Sequence, residues 1–208
     1  MGSLQLAQTG RRRLRVTTVL FVAAGICLLA AGCGRTPQAT SGGATSAGAI
    51  TPGIGVTSYA TGERPSMPPI AGATLSGAQL DLATLAGSVV VLNSWASWCA
   101  PCIEETPELI AASLSTASSD VVFVGLNVKD DPTKARKFVE QLQIPYDSIM
   151  DPEGALLATL PDVPPGSLPS TLVIDRTGRV AVRIIGQVPP GELVGILEAV
   201  SAESTSAE

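Results

Sequence analysis

Two apolar, β-branched runs, residues 88–95 and 121–128, bracket one stretch of helical character at 103–117, and this succession constrains the fold more than anything else in the chain. Each run is apolar at both odd and even positions, the pattern of a strand covered on both faces. Two such strands joined through a helix lie parallel, because a parallel pair needs a long crossover. On the first helix Leu109, Ile110 and Leu114 are expected to form the apolar face. The alternation continues with a helix over 133–143 that sets Ala135, Phe138, Val139 and Leu142 on one side. A short extended piece follows at 146–150, then a short helix at 153–159. Two further strands, 171–175 and 180–185, flank a hairpin turn at 176–179, and an amphipathic helix closes the pattern at 190–200. This predicts an α/β domain with a mixed central sheet flanked by helices. Residues 67–87 are expected to form an N-terminal extension packed on that sheet, and residues 201–208 a polar, frayed tail.

The turn between the first strand and the first helix carries Cys99-Ala100-Pro101-Cys102. Cys99 then sits at a helix N-terminus, where the partial positive charge favours thiolate over thiol. Pro101 suits the first turn, where a missing N–H costs nothing. Cys102 falls one turn along, facing the same helix end but deeper. A disulfide across three residues closes so small a loop that it constrains the unfolded chain little, so a structural staple explains the spacing poorly and a reversible redox couple explains it well. Two thiolates without further ligands do not complete a tetrahedral zinc site, although two-coordinate Cu(I) binding remains a chemical alternative.

The other two cysteines belong to the N-terminus. Arg11, Arg12, Arg13 and Arg15 precede a charge-free run from 16 to 31, which ends in Gly32-Cys33. A basic stretch before a short apolar run reads as an export signal over 1–32, with Cys27 inside it; an uncleaved transmembrane anchor is the alternative. Residues 33–66, rich in Ser, Thr, Gly, Ala and Pro, bury too little apolar surface to order themselves and are expected to form a flexible tether.

Composition removes several function classes. The chain contains no histidine, which excludes Ser/His/Asp and Cys/His nucleophilic catalysis and histidine-ligated zinc. Without the four arginines of 1–32, nine basic residues face eighteen acidic ones. A chain this acidic, with 3% aromatics, is a poor nucleic-acid binder.

These residues together resemble a known family. Leu29-Ala30-Ala31-Gly32-Cys33 resembles a bacterial lipobox, which implies lipidation of Cys33 and anchoring on the extracytoplasmic face of the cell membrane. Trp95-Ala96-Ser97-Trp98-Cys99-Ala100-Pro101-Cys102 resembles the active site of thioredoxin-like proteins, with Pro107 at the position of the helix-kinking proline and Gly166–Thr171 as the cis-proline loop. The chain is most similar to the TlpA/ResA/DsbE-like branch, over residues 67–200, with 129–165 as the insert before that loop. The resemblance implies a thioredoxin fold and a thiol–disulfide oxidoreductase that forms a Cys99–Cys102 disulfide and uses no cofactor or metal. It makes Cys99 the nucleophile, Cys102 the resolving thiol and Pro169 the cis-proline. Leu168 then offers its backbone to a substrate strand, and Trp98 either shields the pair or packs in the core. It further implies a monomer acting on protein thiols and disulfides, apocytochrome c among them, as a reductant fed by a CcdA-like membrane donor. An oxidase or isomerase of exported proteins is the alternative. Asn93 stands where thioredoxin has a buried proton-shuttling aspartate, and Asp130 best matches the branch's acidic residue near the cysteines. Glu104 and Glu105 are expected to be first-turn helix acids.

Overall fold

The computed structural model describes residues 55–203. The expected signal segment, Cys33, the tether up to residue 54 and the tail from 204 lie outside them. The six-stranded sheet has the order β1 (Val56–Ser58), β8 (Val180–Ile185), β7 (Ser170–Ile174), β4 (Val89–Trp95), β5 (Val121–Val128), β6 (Ser148–Asp151). Its centre is β4, every residue of which is buried. β4 pairs in parallel with β5, and β5 with β6. On its other edge β4 pairs antiparallel with β7, which forms a hairpin with β8. The predicted mixed sheet is what forms, because the crossovers through α1 (Ala100–Ser115) and α2 (Pro132–Leu142) demand parallel partners while the Arg176–Arg179 turn demands an antiparallel one.

The two faces of β4 are filled differently. Val89 and Val91 join Leu109 and Ala112 of α1 and Leu193, Ile196 and Leu197 of α3 (Leu193–Ser201). Val90 and Leu92 instead meet Ile70 of the extension and Leu157, Leu160 and Val163 of the insert. α2 starts cleanly because Asp131 caps it, accepting from Thr133 N at 2.9 Å and Lys134 N at 3.0 Å, with Pro132 in the first turn.

Three local expectations are corrected. The buried face of α1 is Cys102, Glu105, Thr106, Leu109 and Ala112, whereas Ile110 is half-buried and Leu114 is 64% exposed. With Cys102 and Leu109 turned inward, helical periodicity carries Leu114 to the solvent side. The expected helix at 153–159 shrinks to one 3-10 turn, Leu157–Thr159. The folded part also begins before residue 67. β1 (Val56–Ser58) adds antiparallel to β8, and Arg64 is buried. A Thr- and Ser-rich segment can do this because backbone pairing with β8 holds the edge strand while Val56 reaches the core. The extension then forms the hairpin of β2 (Ala71–Ala73) and β3 (Gln79–Asp81), bound to β6 through Leu75 N donating to Ser148 O at 2.9 Å.

Candidate active site

β4 delivers the chain to the carboxyl end of the sheet at Trp95, and α1 begins five residues later with Cys99 as its N-cap. Cys99 N donates to Ala96 O at 3.1 Å, and Cys99 O accepts from Ile103 N at 3.1 Å, so the cysteine is held by its backbone on both sides. Its side chain makes no capping hydrogen bond. Cys99 and Cys102 are joined in a disulfide, with their Cα atoms 5.3 Å apart. Both are buried, Cys102 more deeply, in a cluster with Trp95, Ala96, Ala135 and Leu75 of the extension hairpin. On reduction, the helix N-terminus lies where a Cys99 thiolate would form, and such a position lowers a thiol's pKa.

Trp98 resolves one alternative left open by the sequence: it is 61% exposed and is not core. Its indole N–H donates to Lys129 O at 3.0 Å, tying the exposed ring to the loop that follows β5. The neighbouring residue Asp130 is saturated. Its Oδ2 accepts from Ser97 N at 2.6 Å and Asn127 Nδ2 at 3.0 Å, and its Oδ1 from Ser97 Oγ and Asp131 N, both at 2.8 Å. Asp130 therefore binds the loop that leads into Cys99 to the end of β5.

The Leu168–Pro169 peptide bond is cis. Leu168 is half-buried against the cluster that holds the cysteines, and Pro169 O accepts from Gly186 N at 3.0 Å. Pro101 is exposed in the first turn of α1, its carbonyl receiving Gln187 Nε2 at 3.1 Å. The structure thus brings Trp98, Cys99, Pro101, Cys102, Leu168 and Asp130 around one end of the sheet.

Glu105 is the residue that sequence reasoning misplaced. It is the sixth residue of α1 rather than a first-turn acid, and it is 3% exposed. Asn93 Nδ2 donates to its Oε1 at 2.7 Å and Val188 N to its Oε2 at 2.8 Å, while Asn93 also donates to Thr171 Oγ1 at 3.1 Å. Burial pushes the Glu105 carboxyl up to about 7, against the two hydrogen bonds, which pull it down. Tyr146 is pushed upward as well, mainly by burial and secondarily by the Glu105 charge. The signal was available: Cys102, Glu105, Leu109 and Ala112 recur at three- and four-residue intervals, one face of one helix. Glu104, by contrast, is exposed and accepts from Gln187 Nε2 at 2.9 Å.

Among the described residues no group of three or more Cys, Asp or Glu side chains is placed to hold a metal ion. The chemistry on offer is a dithiol–disulfide couple at a helix N-terminus, with a buried carboxyl that titrates near neutrality one turn beyond the second sulfur.

Comparison with known proteins agrees with that chemistry. The family model described as Redoxin matches residues 61–200. The thiol-disulfide oxidoreductase ResA of Bacillus cereus is 28% identical over 127 residues, which are 61% of this chain and 72% of ResA. The thiol:disulfide interchange protein HelX of Rhodobacter capsulatus is 34% identical over 100 residues, 48% of this chain and 53% of HelX. Among solved structures, a secreted thiol-disulfide isomerase from Corynebacterium glutamicum superposes with a TM-score of 0.68 at 29% identity, covering 72% of this chain and 93% of that one.

Proposed function

This chain belongs to the Redoxin family and is a thiol–disulfide oxidoreductase of thioredoxin fold, and on that premise we propose that it acts outside the cytoplasmic membrane as a reductant of protein disulfides. The substrate class is exported polypeptides, with the cysteines of apocytochrome c, kept reduced for haem attachment, as the specific case. Cys33 carries the lipid that anchors the monomer, and a CcdA-like membrane protein returns two electrons to it.

The Cys99 thiolate attacks one sulfur of the substrate disulfide, forming a mixed disulfide and releasing the other substrate sulfur as thiolate. Cys102 then gives up its proton and attacks Cys99 Sγ, which re-forms the Cys99–Cys102 disulfide and releases the second substrate thiolate. Glu105 is the proton acceptor for Cys102. It lies three residues along the same buried helix face, and its carboxyl titrates where a base working near neutral pH should. Asn93 holds that carboxyl through its amide and cannot carry the proton itself. Asp130 is a positioning residue, fixing the Ser97–Trp98 approach to the nucleophile. Trp98 and Pro101 supply the surface over which substrate lies, and Leu168, beside Pro169, supplies backbone for it to pair with.

The observation that carries the proposal is the disulfide at the N-terminus of α1, bordered by exposed Trp98. Equilibrating the protein with glutathione buffers tests its direction. A potential at or below that of thioredoxin, about −270 mV, is expected of a reductant, and one near −120 mV would make the protein an oxidase. The similarity to a secreted isomerase favours an intermediate potential as the second outcome.

A further inference from the structure

The carboxyl ends of β5 and β6 border a cavity of about 340 Å³, lined by Ala73 of the extension hairpin, Asn127, Asp130, Pro132, Met150 and Pro152. Open α/β sheets place ligands at the carboxyl ends of their strands. The cysteines follow β4 instead, so thiol exchange itself asks nothing of this cavity. We propose that it is a substrate subsite, which takes an apolar side chain of the polypeptide whose cysteine reacts at Cys99. The proposal rests on the exchange activity described above and adds to it a sequence preference.

Continuity with the redox surface is the first support. Asp130 forms part of the cavity wall and receives Ser97 N at 2.6 Å, and Ser97 is two residues from Cys99. Exposed Trp98, the residue before Cys99, donates to the carbonyl of Lys129, the residue before Asp130. A polypeptide crossing Trp98 from Cys99 therefore arrives at the cavity. The step from Ser97 to Cys99 spans at most about 7 Å, and an extended peptide advances about 3.3–3.6 Å per residue. The apolar residue should thus lie about two to four positions from the substrate cysteine.

Polarity selects the occupant. The Asp130 carboxylate already accepts four hydrogen bonds, and the Asn127 amide N–H is given to it. What the wall leaves for a ligand is Met150, Pro132, Pro152 and Ala73, none of which can replace the hydration of a charged group. An aliphatic or aromatic side chain loses nothing there and gains burial.

The wall is also preformed. The hairpin that carries Ala73 is clamped to the insert by Leu75 N on Ser148 O, by Ser76 Oγ on Asp147 Oδ2 at 2.5 Å, and by Arg136 Nε on Leu75 O at 2.9 Å. Binding there need not order a loop first, so most of the burial free energy appears as preference.

The test uses the reduced full chain and a series of single-cysteine peptides, each joined through a disulfide to a chromogenic thiol. The peptides carry Leu or Ala at each of the four positions before and after the cysteine. At sub-saturating peptide, leucine at one position two to four residues from the cysteine should raise the rate constant about tenfold over alanine. Ala73→Phe and Pro152→Trp each fill the cavity from its wall, and each should bring that ratio close to one. The ratio is read on whichever variant keeps the native circular-dichroism spectrum. Equal rates for all peptides with the unsubstituted chain, or a tenfold ratio that survives in a folded filled variant, would overturn the subsite alone. Failure to reduce any peptide would overturn the exchange activity, and the subsite with it.

Discussion

Two carboxyl groups in this molecule are withdrawn from the surface and titrate in opposite directions. Asp175, 8% exposed, lies in the β7–β8 turn, and Glu105, 3% exposed, lies under α1 beside the disulfide. Burial pushes both upward. At Asp175 it is outweighed by hydrogen bonds from Thr177, Arg64 and the turn's own N–H groups, and the carboxyl is held below its ordinary value. The Thr177 side chain contributes most to this and Arg64 adds a charged partner: its guanidinium reaches Asp175 Oδ2 at 2.8 Å and both carboxylate oxygens of Glu203 at 2.7 Å. Glu105 has only the neutral donors Asn93 and Val188, and burial wins. Asp175 is thus held as a structural ion by Thr177, the Arg64 cation and the turn's N–H groups, whereas Glu105, more deeply desolvated and met only by neutral donors, holds its proton more tightly.

Removing that cation should produce the largest effect. Arg64→Ala leaves Asp175 buried without its charged partner, and denaturant unfolding should show a loss of about 3–5 kcal/mol, with thiol exchange by the folded fraction unchanged. Glu105 should reveal itself next, through pH. Its folded pKa of about 7 lies above the ordinary carboxyl value of 4.5, so between these limits the native state binds more protons than the unfolded state. The stabilising effect of the protonated carboxyl is complete below about pH 4.5 and is lost as pH rises through about 7. That loss amounts to about 3 kcal/mol, and it should vanish in Glu105→Gln. The same variant should flatten the rise of the resolving step near pH 7, measured in single-turnover exchange. A profile identical to that of the unsubstituted chain would remove Glu105 from the proton path.

Smaller effects refine the comparison. Asp130→Asn keeps one acceptor oxygen where two receive four bonds, and should cost about 1–2 kcal/mol while shifting Trp98 fluorescence, because Ser97 loses its anchor. Glu203→Ala should cost only about 1 kcal/mol, since that side chain is 40% exposed and solvent screens its half of the bridge.

Much of the architecture was legible because it is periodic. The all-apolar runs of β4 and β5, the Arg176–Arg179 turn and α2 each carry a local signal and form within a residue or two of expectation, whereas α1 and α3 begin three residues from their expected starts. Cys99, Cys102 and the loop to Pro169 were legible as a motif. Arg64 and β1 were not, because a low-complexity segment becomes structure only when β8 offers it an edge and the β7–β8 turn offers Asp175. Trp98 could not be assigned to core or surface from its neighbours, since its exposure depends on where Lys129 places its carbonyl.

The sequence by itself determined the strand–turn–helix unit, the cysteine pair at its corner and the absence of histidine chemistry, since each depends on residue type and spacing along the chain. Only the tertiary structure decided the behaviour of the acids around that pair. It aimed Glu105 inward beside Asn93, saturated Asp130 with Ser97 and Asn127, and gave Arg64 to Asp175 instead of Glu105. The physical reason is that a carboxyl's proton affinity is set by the solvent it loses and the charges it meets. Both are supplied by residues distant in sequence.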